Sequence, residues 1–137
     1  MKKKIISIIV MLVMGCWAAI AGAATTATLT DNRIIITGDP VPDNGDFDVW
    51  AALGLTVGKD KYVIEYFCWY GSNIVANDVC EIETADGAPI GVPMIAVTAA
   101  QSLCHPPINR AFDRLYVDQL SHGSIIIFVH RVGEVRE

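Results

Sequence analysis

The side chains through which this chain could do chemistry are few: four cysteines, three histidines and a run of aspartates between Asp39 and Asp48. Cys104 and His105 are neighbours in sequence, yet adjacent side chains do not naturally face one another, and nucleophilic catalysis needs a base and an orienter converging on the nucleophile. No G-x-S-x-G occurs, and His122-Gly123-Ser124 reads as a helix stop leading into a strand. A structural zinc site wants paired short spacings of Cys and His; CxxC, HxxxH and HExxH are all missing. The loop Asp43-Asn44-Gly45-Asp46-Phe47-Asp48 offers hard oxygens to calcium but lacks the regular D-x-D-x-D-G order and the distal Glu, so it reads as a turn. His130 shares a strand face with Ile126 and Phe128 and reads as a hydrogen-bonded histidine near the end of a core strand. From these residues the sequence assigns no catalytic residue, no metal ligand and no cofactor.

Binding is the chemistry that remains. The stretch Tyr66 to Cys80, YFCWYGSNIVANDVC, crowds aromatics around a cysteine. Tyr62, Tyr66 and Phe67 read as sheet core, whereas Trp69 and Tyr70 adjoin a Gly-Ser-Asn turn, where rings emerge at a sheet end and can stack on sugar or peptide. Trp50, beside the acidic loop, could join them.

Where the protein works is written in its first residues. Three lysines, an apolar run from Ile5 to Val13 extending patchily to Ile20, and Ala21-Gly22-Ala23 make a secretory signal peptide over residues 1–23 with an A-x-A cleavage site. A membrane anchor is the competing reading, but the Thr-rich, uncharged segment that follows does not resemble a stop-transfer flank. Val13-Met14-Gly15-Cys16 resembles the lipobox of bacterial lipoproteins, which implies a chain anchored through a lipid on Cys16; the residues after Cys16 stay apolar instead of forming a polar tether.

Cleavage after Ala23 leaves one domain, residues 24–137, long enough for a core of its own. It carries seven Lys and Arg against fifteen Asp and Glu, a formal net charge of −8. Phosphate backbones repel such a chain, so nucleic acid is not expected as a partner. Of the mature cysteines, Cys68, Cys80 and Cys104, an oxidising compartment allows one internal bridge and one leftover thiol, unless that thiol links two chains into a dimer. Cys68 with Cys80 is the favoured pair, because a hairpin centred on Ile74 sets them opposite one another. The same register opposes Glu65 to Glu83, and Cys80 with Cys104 is the nearest rival.

The elements that must position these residues read as follows. Thr25 to Thr30 and Arg33 to Thr37 form a hairpin about Asp31-Asn32. Asp48 to Leu53 reads as a short helix stopped by Gly54 or, as the alternative, a strand running on into Leu55-Thr56-Val57-Gly58, and Tyr62 to Tyr70, apolar on both faces, is a central strand. Asp78 to Thr84 is a strand ending in an Asp-Gly turn; Ile90 to Val97, which follows Pro89 and contains Pro93, is an edge or extended segment. Ile108, Ala111, Phe112, Leu115, Tyr116 and Leu120 recur at helical spacing behind Pro107 and predict the main helix over residues 107–121. Gly123 would cap it, and Ser124 to Val132 reads as a buried strand. The fold expected is α+β: a small, mostly antiparallel sheet with that one helix packed on one face.

Function follows from export, small size, acidity and the missing catalytic constellation. The expectation is a periplasmic or secreted bacterial protein that binds a protein or envelope partner without chemistry, of accessory, inhibitor or immunity type, and keeps no transmembrane segment after processing. The alternatives are a small hydrolase using carboxylates of the Asp39 to Asp48 loop on a glycan, and an envelope component lipidated at Cys16.

Overall fold

The computed structural model describes residues 24–38, 40–42 and 45–133; residues 1–23, which the sequence reads as a signal peptide, with Cys16 among them, and Asp39, Asp43 and Asn44 lie outside the described residues. The described chain is built almost wholly of antiparallel strands, with one helix of five residues. The first strands, β1 (Thr26–Thr30) and β2 (Arg33–Thr37), pair through Thr30↔Arg33 as the hairpin the sequence predicts. After β3 (Phe47–Asp48) comes α1 (Val49–Leu53). Asp48 caps α1 by accepting from the Ala51 N–H at 3.0 Å, and Gly54 closes it in the left-handed conformation at φ 69°.

Six strands form the large sheet. Its order is β1, β2, β10 (Ser124–Arg131), β4 (Tyr62–Tyr70), β7 (Leu103–Cys104), with β8 (Arg110–Phe112) also on β4. The small sheet runs β3, β9 (Tyr116–Leu120), β5 (Val79–Glu83), β6 (Met94–Ile95). A single core joins them: Ile34, Ile64, Phe67, Trp69 and Ile127 from the large sheet meet Cys80, Ile82, Val117 and Leu120 from the small one.

The helix expected over 107–121 does not form. Those residues make β8 and β9, and the chain crosses from the large sheet to the small one between Asp113 and Leu115. The apolar spacing that suggested a helix fits two short strands joined by a corner, where Leu115 is fully buried and its carbonyl accepts from the Val49 N–H. Local propensity also favours this outcome, since Tyr, Val, Asn and two Asp are weak helix formers and Asn109 takes a positive φ of 50°. Long partners were waiting: Phe112 lies opposite Tyr62, and Val117 opposite Ile82. The architecture is therefore mostly β, not α+β.

β4 is central as expected, but its side chains do not alternate strictly. A bulge against β10 pairs Phe128 with Tyr66 and Val129 with Ile64, leaving Glu65 extra. Tyr62, Ile64, Phe67 and Trp69 consequently share the core face, and Tyr66 turns outward.

Candidate functional site

The bulge creates a second apolar surface. On the outer face of the large sheet, Ile126 lies between Ile35 and Cys68, and Phe128 lies between Arg33 and Tyr66. The Tyr66 and Phe128 rings stack with centroids 4.5 Å apart and planes 18° from parallel. Tyr70 stands next to Ser124 at the end of the same face. Ile35, Ile126, Phe128, Tyr66 and Tyr70 are half-buried, and none belongs to the core or to the residues packed on it. At the margin His130 Nδ1 lies 3.0 Å from Glu65 Oε1, which fixes the ring.

The disulfide lies on this face too, and it is not the pair expected. Cys68 is bonded to Cys104, which the ladder between β4 and β7 sets directly opposite it. The Phe67 carbonyl accepts from the His105 N–H, so Cys68 and Cys104 form the close, non-hydrogen-bonded pair next to it. Cys68 and Cys80 cannot meet because β4 and β5 are strands of different sheets and no hairpin joins them. Cys80 is a free thiol, fully buried in the core, and burial pushes it far above the usual thiol range. In this fold it presents nothing to a second chain.

Of the three aromatics expected to bind, two are core residues. Trp50 is fully buried, donates from Nε1 to the Asp60 carbonyl at 2.9 Å and meets Tyr62 edge to face. Trp69 is fully buried and donates to the His122 carbonyl at 2.7 Å. Tyr70 alone stands on the outer face. The stacked pair beside it was half legible, since Phe128 alternates with Ile126 and His130 along one strand, but the bulge that rotates Tyr66 into place left no mark in the sequence.

The aspartates separate. Asp48 caps α1 and receives the Arg114 guanidinium at 2.6 Å. Burial alone would raise its carboxyl, but the Ala51 N–H, Arg114 and Tyr116 outweigh that and hold it below the usual carboxylate range. Asp46 instead joins Glu83 and Asp118, one oxygen of each lying within 4.8 Å of the others. Asp118 reaches this place through the β5–β9 irregularity, where Glu81 faces Gln119 and Ile82 faces Val117. Asp46, Glu83 and Tyr116 line a cavity of about 290 Å³. Burial, then the Asp118 and Asp46 carboxylates, push the Glu83 carboxyl above its usual range. Such a set of oxygens suits a hard cation such as calcium. It suits glycoside hydrolysis less, because the two carboxyl groups of that chemistry stand about 5 to 9.5 Å apart.

Asp78 and His122 make a further oriented pair. His122 Nδ1 lies 2.8 Å from Asp78 Oδ2, and the same oxygen accepts from the Val75 N–H at 2.8 Å. Asp78 is buried and His122 is partly exposed, the arrangement of an oriented base, while a cavity of about 500 Å³ elsewhere is lined by Leu29, Thr30, Asp31, Tyr62 and Arg131. No helix among the described residues is long and apolar enough to cross a membrane. Comparison with protein-family models, with curated proteins and with solved structures gave no match.

Proposed function

We propose that this is an exported, disulfide-stapled β domain that acts by non-catalytic binding to a protein or envelope partner, and that the outer face of the large sheet is its binding surface. One observation carries the reading. An aromatic stack, Tyr66 on Phe128, continues into Ile126, Ile35 and Tyr70 on a face that takes no part in the core. An antiparallel sheet with one solvated face is expected to alternate apolar inward and polar outward, so apolar side chains gathered outward call for a partner. Tyr and Phe supply large contact area at low entropic cost. Export is supported by the signal-peptide pattern of residues 1–23 and by the Cys68–Cys104 bridge, a bond that persists in oxidising compartments.

Site-specific photo-crosslinking in the producing cell tests this. A photoreactive phenylalanine analogue at Tyr66 or Phe128 should give one discrete adduct, and the same analogue at exposed Val57 should not. Identical adduct patterns from all three positions, or none from Tyr66 and Phe128, would overturn the assignment of this face.

A further inference from the structure

From Gly87 to Asn109 the chain carries no Asp, Glu, Lys or Arg, although the whole chain has a formal net charge of −5. This uncharged segment is held to the large sheet by the Cys68–Cys104 bridge and, one residue on, by His105. The His105 ring stacks on Phe67, centroids 5.1 Å apart and planes 10° from parallel. Its Nε2 accepts a hydrogen bond from the Val92 N–H at 3.1 Å. Its Nδ1 lies 2.8 Å from the Pro106 carbonyl oxygen.

Those two contacts determine the protonation state. A carbonyl oxygen only accepts, so Nδ1 must carry the hydrogen, and a nitrogen that accepts from an N–H must be bare. One tautomer of the neutral imidazole satisfies both; the other tautomer and the imidazolium satisfy only one or neither. Gly91 makes the approach possible, with φ at 84° and no room for a Cβ, which would run into the His105 ring.

We propose that His105 is a pH-sensitive latch: neutral, it clips the Gly91–Pro93 turn to the large sheet, and protonated, it turns an N–H against the Val92 N–H and lets the turn go. The Nδ1–H bond to the Pro106 carbonyl is the same in both states, so protonation changes only the contact at Nε2. β4 presents Phe67, while Glu65 of that strand pairs with His130 on the outer face. Cys104 is disulfide-bonded, and the 90–93 turn has no ionisable side chain. Asp86 and Arg110, just beyond the two ends of the uncharged segment, interact with one another. The flanks of the turn stay fastened, because the Ile90 N–H donates to the Ile82 carbonyl and the Ala96 N–H to the Asp78 carbonyl. Opening is thus confined to residues 91–93. It loosens the approach to β6, an edge strand that already exposes Ile95 and is flanked by exposed Val92 and Val97. Histidine is the side chain whose unperturbed charge change falls between about pH 5 and pH 8.

NMR of the disulfide-intact mature protein reads this directly. At high pH the His105 nitrogen shifts should report the Nδ1–H tautomer. On titration the Val92 amide should lose protection from exchange by about tenfold, the worth of one hydrogen bond, in step with His105 protonation, while Ile90 and Ala96 keep theirs. His105→Gln, whose amide oxygen can accept at any pH, should remove the pH dependence, and Gly91→Ala should leave Val92 unprotected throughout. The opposite tautomer, or Val92 protection that stays constant through the His105 titration, overturns the proposal. So does its loss together with Ile90 and Ala96, which would be unfolding and not a latch.

Discussion

The two sheets close on one core but present opposite faces to the surroundings. Along β5 of the small sheet, Cys80 and Ile82 point inward while Val79, Glu81 and Glu83 point out, and the outward carboxylates continue to Asp46 and Asp118. That is the alternation of a sheet with one wet side. The large sheet breaks it, placing Ile35, Ile126, Phe128 and Tyr66 outward opposite an equally apolar core face. The difference separates what folding requires from what it does not. Solvation accounts for Glu81 and exposed Asp46 on the acidic side but not for Asp118, which is buried, whereas the aromatic face has no folding role that the core does not already fill.

Neighbouring residues of β4 give the sharpest way to break this comparison. Phe67→Ala should cost about 3 to 5 kcal/mol in urea denaturation, because the ring is fully buried between the sheets. Tyr66→Ala, one residue away but outward, should cost about 1 kcal/mol, mainly the lost stack on Phe128. Equal losses would mean that the outer face is part of the folding core, and its assignment to a partner would fall.

Next in size is the staple. Replacing Cys68 and Cys104 together by Ser should destabilise by about 2 to 4 kcal/mol, since the bridge spans 36 residues and ties the two-residue β7 to β4. The same measurement on Cys80→Ser tests the small sheet's share of the core; a pair replacement that costs nothing would leave β7 held by its ladder alone.

The smallest effect probes the acidic face. Glu83→Gln should raise stability at pH 7 by less than about 1 kcal/mol, as expected for crowded surface charges. The sign follows from the raised Glu83 carboxyl: the folded state binds that proton more readily, so this group's contribution to stability is greatest at low pH and is lost as pH rises through the folded value. The advantage of the Gln variant should therefore vanish by about pH 4, where the ordinary carboxyl is protonated as well. A variant less stable than the parent at pH 7 would show that Glu83 makes a favourable contact outweighing the repulsion.

Much of the fold was legible wherever local signals were strong. The Asp31-Asn32 hairpin, the capped turn from Asp48 to Gly54, the central strand at Tyr62 to Tyr70, the edge segment that contains Pro93 and the last strand all stand where pattern and punctuation put them. The same patterns misled at residues 107–121, where apolar spacing of three and four also arises from two strands meeting at a buried corner. Of the candidate site, the face shared by Ile126, Phe128 and His130 could be read from alternation. Tyr66 and Ile35 could not, because a face is shared between strands only through register.

What the sequence by itself determined is what depends on neighbours in the chain: the turns, the caps, the acidity and the three cysteines after residue 23. Tertiary structure decided the rest. It placed Cys104 opposite Cys68 and sealed Cys80 away, buried Trp50 and Trp69, turned Tyr66 outward and brought Val92 to His105. The physical reason is common to all of these. Each depends on which strands pair and where a bulge shifts them by one residue, and a one-residue shift moves a side chain from core to surface without changing a letter of the sequence.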